Sequence, residues 1–431
     1  MLNFFRKITP RFLKQAYHWF LARVAALFYF FPSNKLIVIG VTGTNGKTTT
    51  VNLISQILEA LGEKVFLSST VNFKLGKKEW LNNKKMTMLG RFATQKLLRQ
   101  AVKENCRFAI IESSSQGIDQ FRHLGINYDL VVFTNLTPEH IEAHGGFENY
   151  RAAKEKLFKH LSNSRRKIVF GKKINKIIIS NADDSETERL KKYSVDQFVT
   201  YGFQNSADFQ AKNLILESGL VSFELGQEKI KTKLLGKFNA YNILASIVAV
   251  KNLGFSETEI LKTSFQGVPG RQELIENNKG FQVMVDYAPE PESLKQLYQA
   301  LKNLNYHKLI HVLGSCGGGR DRARQPILGE MAGQFADIVV VTNEDPYDDD
   351  PQEIMTNVSA GAIKAGKEAN KNLYEVLDRK QAIIKALSLA KSGDLVLITG
   401  KGAEQFICGR NGQKILHDDR QVVREYFQRI K

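Results

Sequence analysis

The run Gly40-Val41-Thr42-Gly43-Thr44-Asn45-Gly46-Lys47-Thr48-Thr49 follows a short apolar segment and precedes a stretch with helical periodicity. Small residues in such a turn let backbone N–H groups converge on phosphate oxygens, and a helix that starts there turns the positive end of its dipole toward them. Lys47 adds a cation, and the Thr48 hydroxyl suits a hard ion such as Mg2+. The strict phosphate-loop pattern has glycine at position 41, where this chain has valine and carries its glycine one residue earlier. The chemistry expected is therefore nucleotide binding, with Gly43, Thr44, Asn45, Gly46, Lys47, Thr48 and Thr49 around the phosphates. Downstream, Ile110-Ile111-Glu112 ends an apolar run on a carboxylate, and Asn135 and His140 stand just past the next one. Side chains at the carboxyl ends of parallel strands converge on the nucleotide crevice, so Glu112 and His140 are candidates to share a second Mg2+. Taken singly, a strand-end acid or a lone histidine is an ordinary core or surface group.

These residues need a scaffold, and the hydrophobic pattern predicts one. Short continuous apolar runs at Lys35–Gly40, Phe108–Glu112, Leu130–Thr134 and Lys176–Ser180 read as strands buried on both faces, with helix-length segments between them, such as Thr48–Leu61. From Phe209 to Leu235 the pattern alternates, which predicts antiparallel hairpins at a domain edge, and Asn239–Leu253 returns to helical period. After Gly267-Val268-Pro269-Gly270-Arg271 a second series begins, with strands expected at Gln282–Asp286, Lys308–Leu313, Ile338–Thr342 and Leu395–Thr399. The fold class is α/β: a phosphate-loop central domain with a mostly parallel sheet, then a smaller Rossmann-like α/β domain. The boundaries expected are 1–34 for an N-terminal helix, 35–268 and 269–431.

Composition narrows the partners. The chain has 431 residues with a formal net charge of +17, which implies affinity for anions: nucleic acid, an acidic membrane surface or phosphorylated small molecules. Lysine and arginine are spread through the chain rather than gathered in a stripe interleaved with aromatics, so no nucleic-acid partner is expected. The competing reading from another class, a nucleic-acid-stimulated phosphate-loop NTPase, rests on the loop and the charge alone. Three scattered cysteines, Cys106, Cys316 and Cys408, supply neither a disulfide framework nor a zinc ribbon and suit a reducing cytoplasmic setting. Near the start, the apolar stretch Phe12–Phe31 is interrupted by Lys14, His18 and Arg23, and Val24–Phe31 is too short to span a bilayer. No small-residue cleavage site follows, so a secretory signal is not expected. A basic, aromatic-rich amphipathic helix remains, suited either to packing on the main domain or another subunit, or to peripheral membrane contact through residues 12–31. The setting expected is cytoplasmic, with the inner face of the membrane as the second reading.

From about residue 36 onward the chain resembles the Mur ligases of peptidoglycan synthesis, and within them the diamino-acid-adding ligases. The resemblance rests on Thr42–Thr49, Glu112-Ser113-Ser114-Ser115, Thr134-Asn135-Leu136 with His140, Tyr150-Arg151-Ala152-Ala153-Lys154, Gly236-Lys237-Phe238-Asn239 with Asn242, Gly270-Arg271, Asp286-Tyr287-Ala288, Gly317-Gly318-Gly319-Arg320-Asp321, Asp345-Pro346 and Gly400-Lys401-Gly402-Ala403-Glu404. It implies that ATP phosphorylates a substrate carboxylate and that the amine of an incoming amino acid attacks the acyl phosphate to form an amide. By position, Lys47 would grip the terminal phosphates, Thr48 and Glu112 would bind Mg2+, and His140 would bind a second Mg2+. Lys154 matches a lysine that this family carbamylates, which turns a cation into an anionic ligand. Asn239 and Asn242 match residues near the adenine, Arg271 an arginine that reaches the phosphates, and Asp286 the carboxylate near the ribose. Thr87, Ser114, Gln120 and Arg122 match positions that hold the muramoyl-peptide acceptor. Asp345 belongs to the motif that selects the incoming amino acid, and Gly400 and Glu404 match residues that hold its distal amino group. The partners implied are a muramoyl-peptide precursor and an amino acid.

The chain departs from the family pattern in three ways. The family has an N-terminal domain that contacts the uridine-diphosphate end of the substrate. Here about 34 residues precede the nucleotide domain, so that recognition is expected to be missing or rebuilt, and a lipid-linked acceptor becomes the alternative to a UDP-linked one. The motif selecting meso-diaminopimelate is Asp-Asn-Pro-Arg, whose arginine pairs with the extra carboxylate; this chain reads Glu344-Asp345-Pro346-Tyr347, followed by Asp348, Asp349 and Asp350. Tyr347 supplies no positive charge and the acidic surroundings favour a cationic side chain, so the expectation leans to L-lysine or another amine without that carboxylate; the competing reading of the acidic run is a solvated loop. Gln116, Pro289 and Ala403 replace usual histidines, and Met88 replaces a second threonine. Folylpolyglutamate synthase, which shares the fold and chemistry, fits less well because the Gly-Lys-Gly-x-Glu and Asp-Pro elements resemble the diamino-acid ligases.

Overall fold

The computed structural model describes residues 11–137, 144–217 and 219–429, of which Arg11 and Phe12 are described by backbone alone. They fall into two compact units, one comprising residues up to Leu214 with Phe223–Ile230 and Asn239–Phe265, the other Ile215–Ser222, Lys231–Phe238 and Gln266 onward.

Helix α1, Arg11–Phe28, comes first, followed by a 3-10 turn at Pro32–Lys35 and strand β1, Ile37–Thr42. Every residue of β1 is buried, as a central strand of a parallel sheet requires. The loop after it opens α2, Lys47–Ala60. Strands β2 (Val65–Ser68), β3 (Asn72–Leu75) and β4 (Lys78–Leu81) follow, then α3, Arg91–Lys103, and β5, Phe108–Glu112. A single short turn, α4 (Ser115–Asp119), is capped by the Ser114 side chain, which accepts from the Gly117 N–H. Next come β6 (Leu130–Phe133), α5 (Phe147–Asn163), a small hairpin of β7 (Lys167–Val169) and β8 (Lys172–Ile174), and β9 (Ile177–Asn181). Strands β10 (Gln197–Gly202), β11 (Phe209–Glu217), β12 (Leu220–Leu225) and β13 (Glu228–Thr232) precede α6, Lys237–Lys251.

The large sheet has the order β13-β12-β11-β10-β9-β6-β1-β5-β2-β3-β4. Its centre is parallel: β1 pairs with β5 on one side, Val41 opposite Glu112, and with β6 on the other, Thr42 opposite Phe133. Antiparallel pairing is seen at the β2-β3-β4 edge. From β1 the chain crosses to β2 beyond β5, and from β5 it crosses back over β1 to β6, so the loop after β1 sits at the switch point where α/β sheets hold ligands.

The second unit carries a six-stranded sheet, β14 (Glu273–Leu274), β15 (Gln282–Val285), β19 (Leu395–Ile398), β16 (Leu309–Leu313), β17 (Ile338–Thr342) and β18 (Leu373–Val376), in that spatial order. All its pairings are parallel except β14 with β15. Helices α7 (Pro291–Leu301), α8 (Arg324–Phe335), α9 (Pro351–Lys364), α10 (Arg379–Leu389) and α11 (Asp419–Arg429) complete it. Two apolar clusters cover its two faces, one built around Leu297, Leu328, Val339 and Val358, the other around Val283, Ile310, Ile383 and Val423. This is the α/β architecture expected, a mostly parallel sheet followed by a smaller Rossmann-like unit.

Helix α1 packs on the first unit through Ala22, Ala25 and Ala26, all buried, while Tyr17, Phe20, Leu27 and Phe28 stay exposed. Phe28 meets Phe92 of α3 edge-on, and Arg99 lies over the Phe30 ring. Among the described residues no helix is long and apolar enough to cross a membrane.

Candidate active site

The loop from Gly43 to Gly46 is held open by its neighbours. Gly43 and Gly46 have φ of 152° and 82°, values that L side chains rarely adopt. A Cβ on Gly43 would fall 1.9 Å from Thr134 Oγ1, and one on Gly46 2.2 Å from Asn242 Oδ1. The segment after β6 fixes the loop from one side: Thr44 N–H donates to Asn135 O at 2.8 Å, and Asn45 N–H to Asn135 Oδ1 at 2.9 Å. Thr134 Oγ1 donates to Asn45 O at 2.7 Å. Asn242 and Asn239 are joined, Nδ2 to Oδ1, at 3.1 Å on the buried start of α6. Thus Gly43, Thr44, Asn45, Gly46 and the two asparagines form one cradle, while Thr49 is partly exposed in the first turn of α2.

Charged groups converge on the same loop. Lys47 Nζ donates to Thr44 O at 2.6 Å, and the buried Lys154 Nζ donates to Gly43 O at 2.5 Å. Lys154 also lies over the Tyr150 ring, 4.5 Å from its centre, and Tyr150 Oη meets Thr44 Oγ1 at 2.9 Å. Thr48 Oγ1 donates to Glu112 Oε1 at 3.0 Å, and Glu112 is only 2% exposed. A buried hydroxyl and carboxylate side by side at a helix start are hard oxygen donors of the kind Mg2+ takes. His140 lies outside the described residues, so its expected place beside Glu112 is not part of this geometry.

The acceptor candidates connect to Glu112 through a residue that carries no motif signal. Thr70 donates from its backbone to Glu112 Oε2 at 2.7 Å and from its hydroxyl to Oε1 at 2.9 Å, and that hydroxyl meets Thr87 Oγ1 at 2.9 Å. Its only cue in the sequence is a hydroxyl three residues past the apolar run that ends at Leu67. Arg122 donates through Nε and Nη2 to Gln120 Oε1 at 3.0 and 2.7 Å, and through Nη1 to the Met88 carbonyl. Burial lowers the Arg122 pKa. Ser114, expected to touch the acceptor, caps α4. Beside it, Ser115 Oγ meets His144 Nε2 at 3.1 Å.

In the second unit, Asp286 accepts from Gln272 N at 2.7 Å and Ala288 N at 2.9 Å; burial raises its pKa, against the pull of Arg271. Arg271 lies over the Tyr287 ring, 4.3 Å from its centre. Lys401, fully buried, donates to Asp345 Oδ1 at 2.9 Å and Glu404 Oε2 at 2.6 Å, which gathers two of the three amino-acid candidates on one cation. Gly400 stands against Glu344, whose Oε1 accepts from Cys316 Sγ at 2.8 Å. The acidic run has a structural explanation: Asp348 accepts from Asn411 N, Asp349 from Gly318 N, and Asp350 caps α9 at Gln352 N. It therefore gives no support to a cation-seeking loop, and the lean toward L-lysine is left on Tyr347 alone.

Residues 41–250 match the model of the Mur ligase middle domain, and residues 270–402 that of the Mur ligase glutamate ligase domain. A UDP-N-acetylmuramoyl-L-alanyl-D-glutamate--2,6-diaminopimelate ligase of Geobacillus kaustophilus is 36% identical over 414 residues, 94% of this chain and 81% of that one. The chain belongs to the Mur ligase family. A UDP-N-acetylmuramyl-tripeptide synthetase of Roseiflexus sp. is also 36% identical, over 89% of this Mur ligase and 77% of that protein. Among solved structures, a diaminopimelate ligase of the same description superposes with a TM-score of 0.61 at 29% identity, covering 92% and 79% of the two chains. The folylpolyglutamate synthase of Mycobacterium tuberculosis superposes with a TM-score of 0.68 over 94% of each chain at 15% identity, a likeness of fold alone. Mur ligases are ATP-dependent, ADP-forming ligases, and this chain is one.

Proposed function

We propose that this Mur ligase adds a diamino acid to a muramoyl dipeptide through an acyl phosphate. An oxygen of the acceptor carboxylate attacks the γ-phosphorus of ATP as the bond to ADP breaks. The amine then attacks the acyl carbon, loses a proton, and expels inorganic phosphate to leave the amide. The observation that carries this reading is the meeting of Lys47, Lys154 and the Thr48–Glu112 pair at one loop on the sheet's switch point. Backbone N–H groups and Lys47 would neutralise the charge gathering on the transferring phosphoryl group. Thr48 and Glu112 would hold Mg2+, which supplies further charge neutralisation when bound; His140 is the proposed ligand of a second Mg2+. Asn239 and Asn242 would lie near the adenine, and Arg271 and Asp286 are proposed nucleotide contacts of the second unit. Lys154 is the proposed carbamate, a charge reversal that converts its present donation to Gly43 O into metal-binding capacity.

For the acceptor, the Glu112–Thr70–Thr87 hydrogen-bond chain supports placement of the dipeptide's carboxylate terminus near Thr87, Ser114, Gln120 and Arg122. For the amine, Asp345, Gly400 and Glu404 are the proposed contacts. Tyr347 lacks the positive charge that would pair with a second carboxylate, so L-lysine is proposed ahead of meso-diaminopimelate. ADP formation by the purified chain, measured with UDP-linked and lipid-linked muramoyl dipeptides and each amine, tests these points together. Dependence on acceptor and amine supports the ligase, activity with diaminopimelate alone removes the reading of Tyr347, and stimulation by polynucleotide without response to muramoyl peptide contradicts the whole assignment.

One observation favours a lipid-linked acceptor as a second reading. The exposed Tyr17, Phe20, Leu27 and Phe28 of α1, with Arg23 and Lys14 among them, lie on a helix packed against α3 in the unit that holds the acceptor candidates. Aromatic and basic residues on one helix suit the surface of an anionic bilayer, which would bring the enzyme to a membrane-held substrate.

A further inference from the structure

Arg91 opens α3 four residues after Thr87, and the sequence gives it no role. Its guanidinium donates to the Gln120 carbonyl, while Arg122 grips the amide oxygen of the same Gln120 at 3.0 and 2.7 Å. The two cations thus share one small residue. Arg91 Nε is buried without a hydrogen-bond partner among the described residues. Neither guanidinium forms an ion pair with a described acid; burial lowers the pKa of both, and the charge of Arg122 lowers that of Arg91 further.

Two half-buried like charges with an idle N–H donor raise the energy of the free protein, and an anion is what relieves them. The donors are planar forks, whose geometry matches a carboxylate through two parallel hydrogen bonds. Their position is equally specific. Arg122 Nη1 donates to the carbonyl of Met88, the residue next to Thr87, and Thr87 leads through Thr70 to Glu112. A glutamate terminus carries two carboxylates: one is activated, and the other stays an anion throughout the reaction.

We propose that Arg91 and Arg122 clamp the carboxylate of the acceptor glutamate that is not activated, and that Arg91 makes the enzyme select acceptors in which this carboxylate is free rather than amidated. The assignment rests on the function proposed above and extends it from substrate class to discrimination between two forms of the acceptor. A site built to bond an anion rejects an analogue that lacks it, because its buried donors are then left unpaired.

The test compares kcat/KM for two muramoyl dipeptides, one with both glutamate carboxylates free and one with the non-reacting carboxylate amidated. The wild-type protein should prefer the free form by about 100-fold, and Arg91→Gln should lose about 10- to 100-fold on the free form, chiefly in KM, so that the ratio falls toward one. Arg91→Lys, which keeps the charge and loses the fork, should fall between. An unchanged KM for ATP and an unchanged unfolding midpoint separate this effect from misfolding. If Arg91→Gln discriminates as the wild type does, or if the wild type accepts both forms equally, the assignment is overturned while the ligase reading stands. Failure to turn over any muramoyl acceptor overturns both.

Discussion

At the scale of single residues, Lys154 and Glu112 bear as much of the proposed chemistry as the phosphate-loop lysine. Lys154 is buried against the Tyr150 ring and the Gly43 carbonyl, on the loop whose Thr44 carbonyl takes the Lys47 ammonium. Carbamylation would turn its cation into an anion with attraction for a metal ion. Lys154→Ala should therefore abolish amide formation, Lys154→Glu should restore part of it, and wild-type protein in labelled bicarbonate should show a carbamate carbon resonance that the alanine variant lacks. Full activity of Lys154→Ala would remove the role. Lys47→Ala should lower kcat by about 100- to 1,000-fold, the scale seen when one donor to a developing negative charge is lost. Gly46→Ala places a methyl 2.2 Å from Asn242 Oδ1 at a φ of 82°, so nucleotide affinity should fall with it. Equilibrium binding of ADP checks this directly, and wild-type affinity in that variant would show the loop to be softer than its contacts imply.

At the scale of elements, helix α1 has two faces with different fates. Its alanine face is buried on the first unit, and its aromatic face, with Phe20 58% and Leu27 64% exposed, remains open. On the second reading proposed above, in which this face meets a membrane, replacing Tyr17, Phe20, Leu27 and Phe28 by serine should leave turnover of a UDP-linked acceptor within about twofold and abolish co-sedimentation with anionic vesicles, since each buried apolar side chain contributes about 1.5–3 kcal/mol. Unchanged vesicle binding would exclude the helix as the contact. Strands covered on both faces were legible because burial writes continuous apolar runs: Phe108–Glu112, beside the strand that leads into the phosphate loop, and Ile338–Thr342, in the second unit, lie where their sequence places them. Strands β3, β4 and β18 were not legible, being four residues each at or near sheet edges, where partial exposure erases the run. In the site, Glu112, Thr48 and Lys154 announced themselves by motif and spacing, whereas Thr70 and Arg91 meet their partners through contacts 42 and 29 residues distant in the chain. No local pattern encodes such meetings.

At the scale of the whole molecule, stability and chemistry rest on different charges. In the second unit Arg379 and Asp419 are both fully buried, joined at 2.8 and 2.7 Å, with His417 also on Asp419 at 2.7 Å. Burial alone would raise the Asp419 pKa; the Arg379 charge and these hydrogen bonds reverse that and hold it far below the usual carboxylate range. A carboxyl depressed on folding stabilises the protein above its unfolded pKa of about 3.9, and that contribution is lost as pH falls toward the folded value. Asp419→Asn removes the carboxylate that pairs directly with a buried guanidinium and should cost about 3–5 kcal/mol, with a flatter stability profile below about pH 4. Denaturant melts at pH 7 and pH 3 test both statements. The net charge of +17 should in addition make binding of the anionic acceptor weaken with salt, which KM against ionic strength would show. The most direct trial of the central claim follows an oxygen atom. With the acceptor carboxylate labelled by 18O, turnover in the presence of ATP and amine should release inorganic phosphate carrying one label, together with ADP. Unlabelled phosphate, or AMP with pyrophosphate, would contradict activation of that carboxylate as an acyl phosphate.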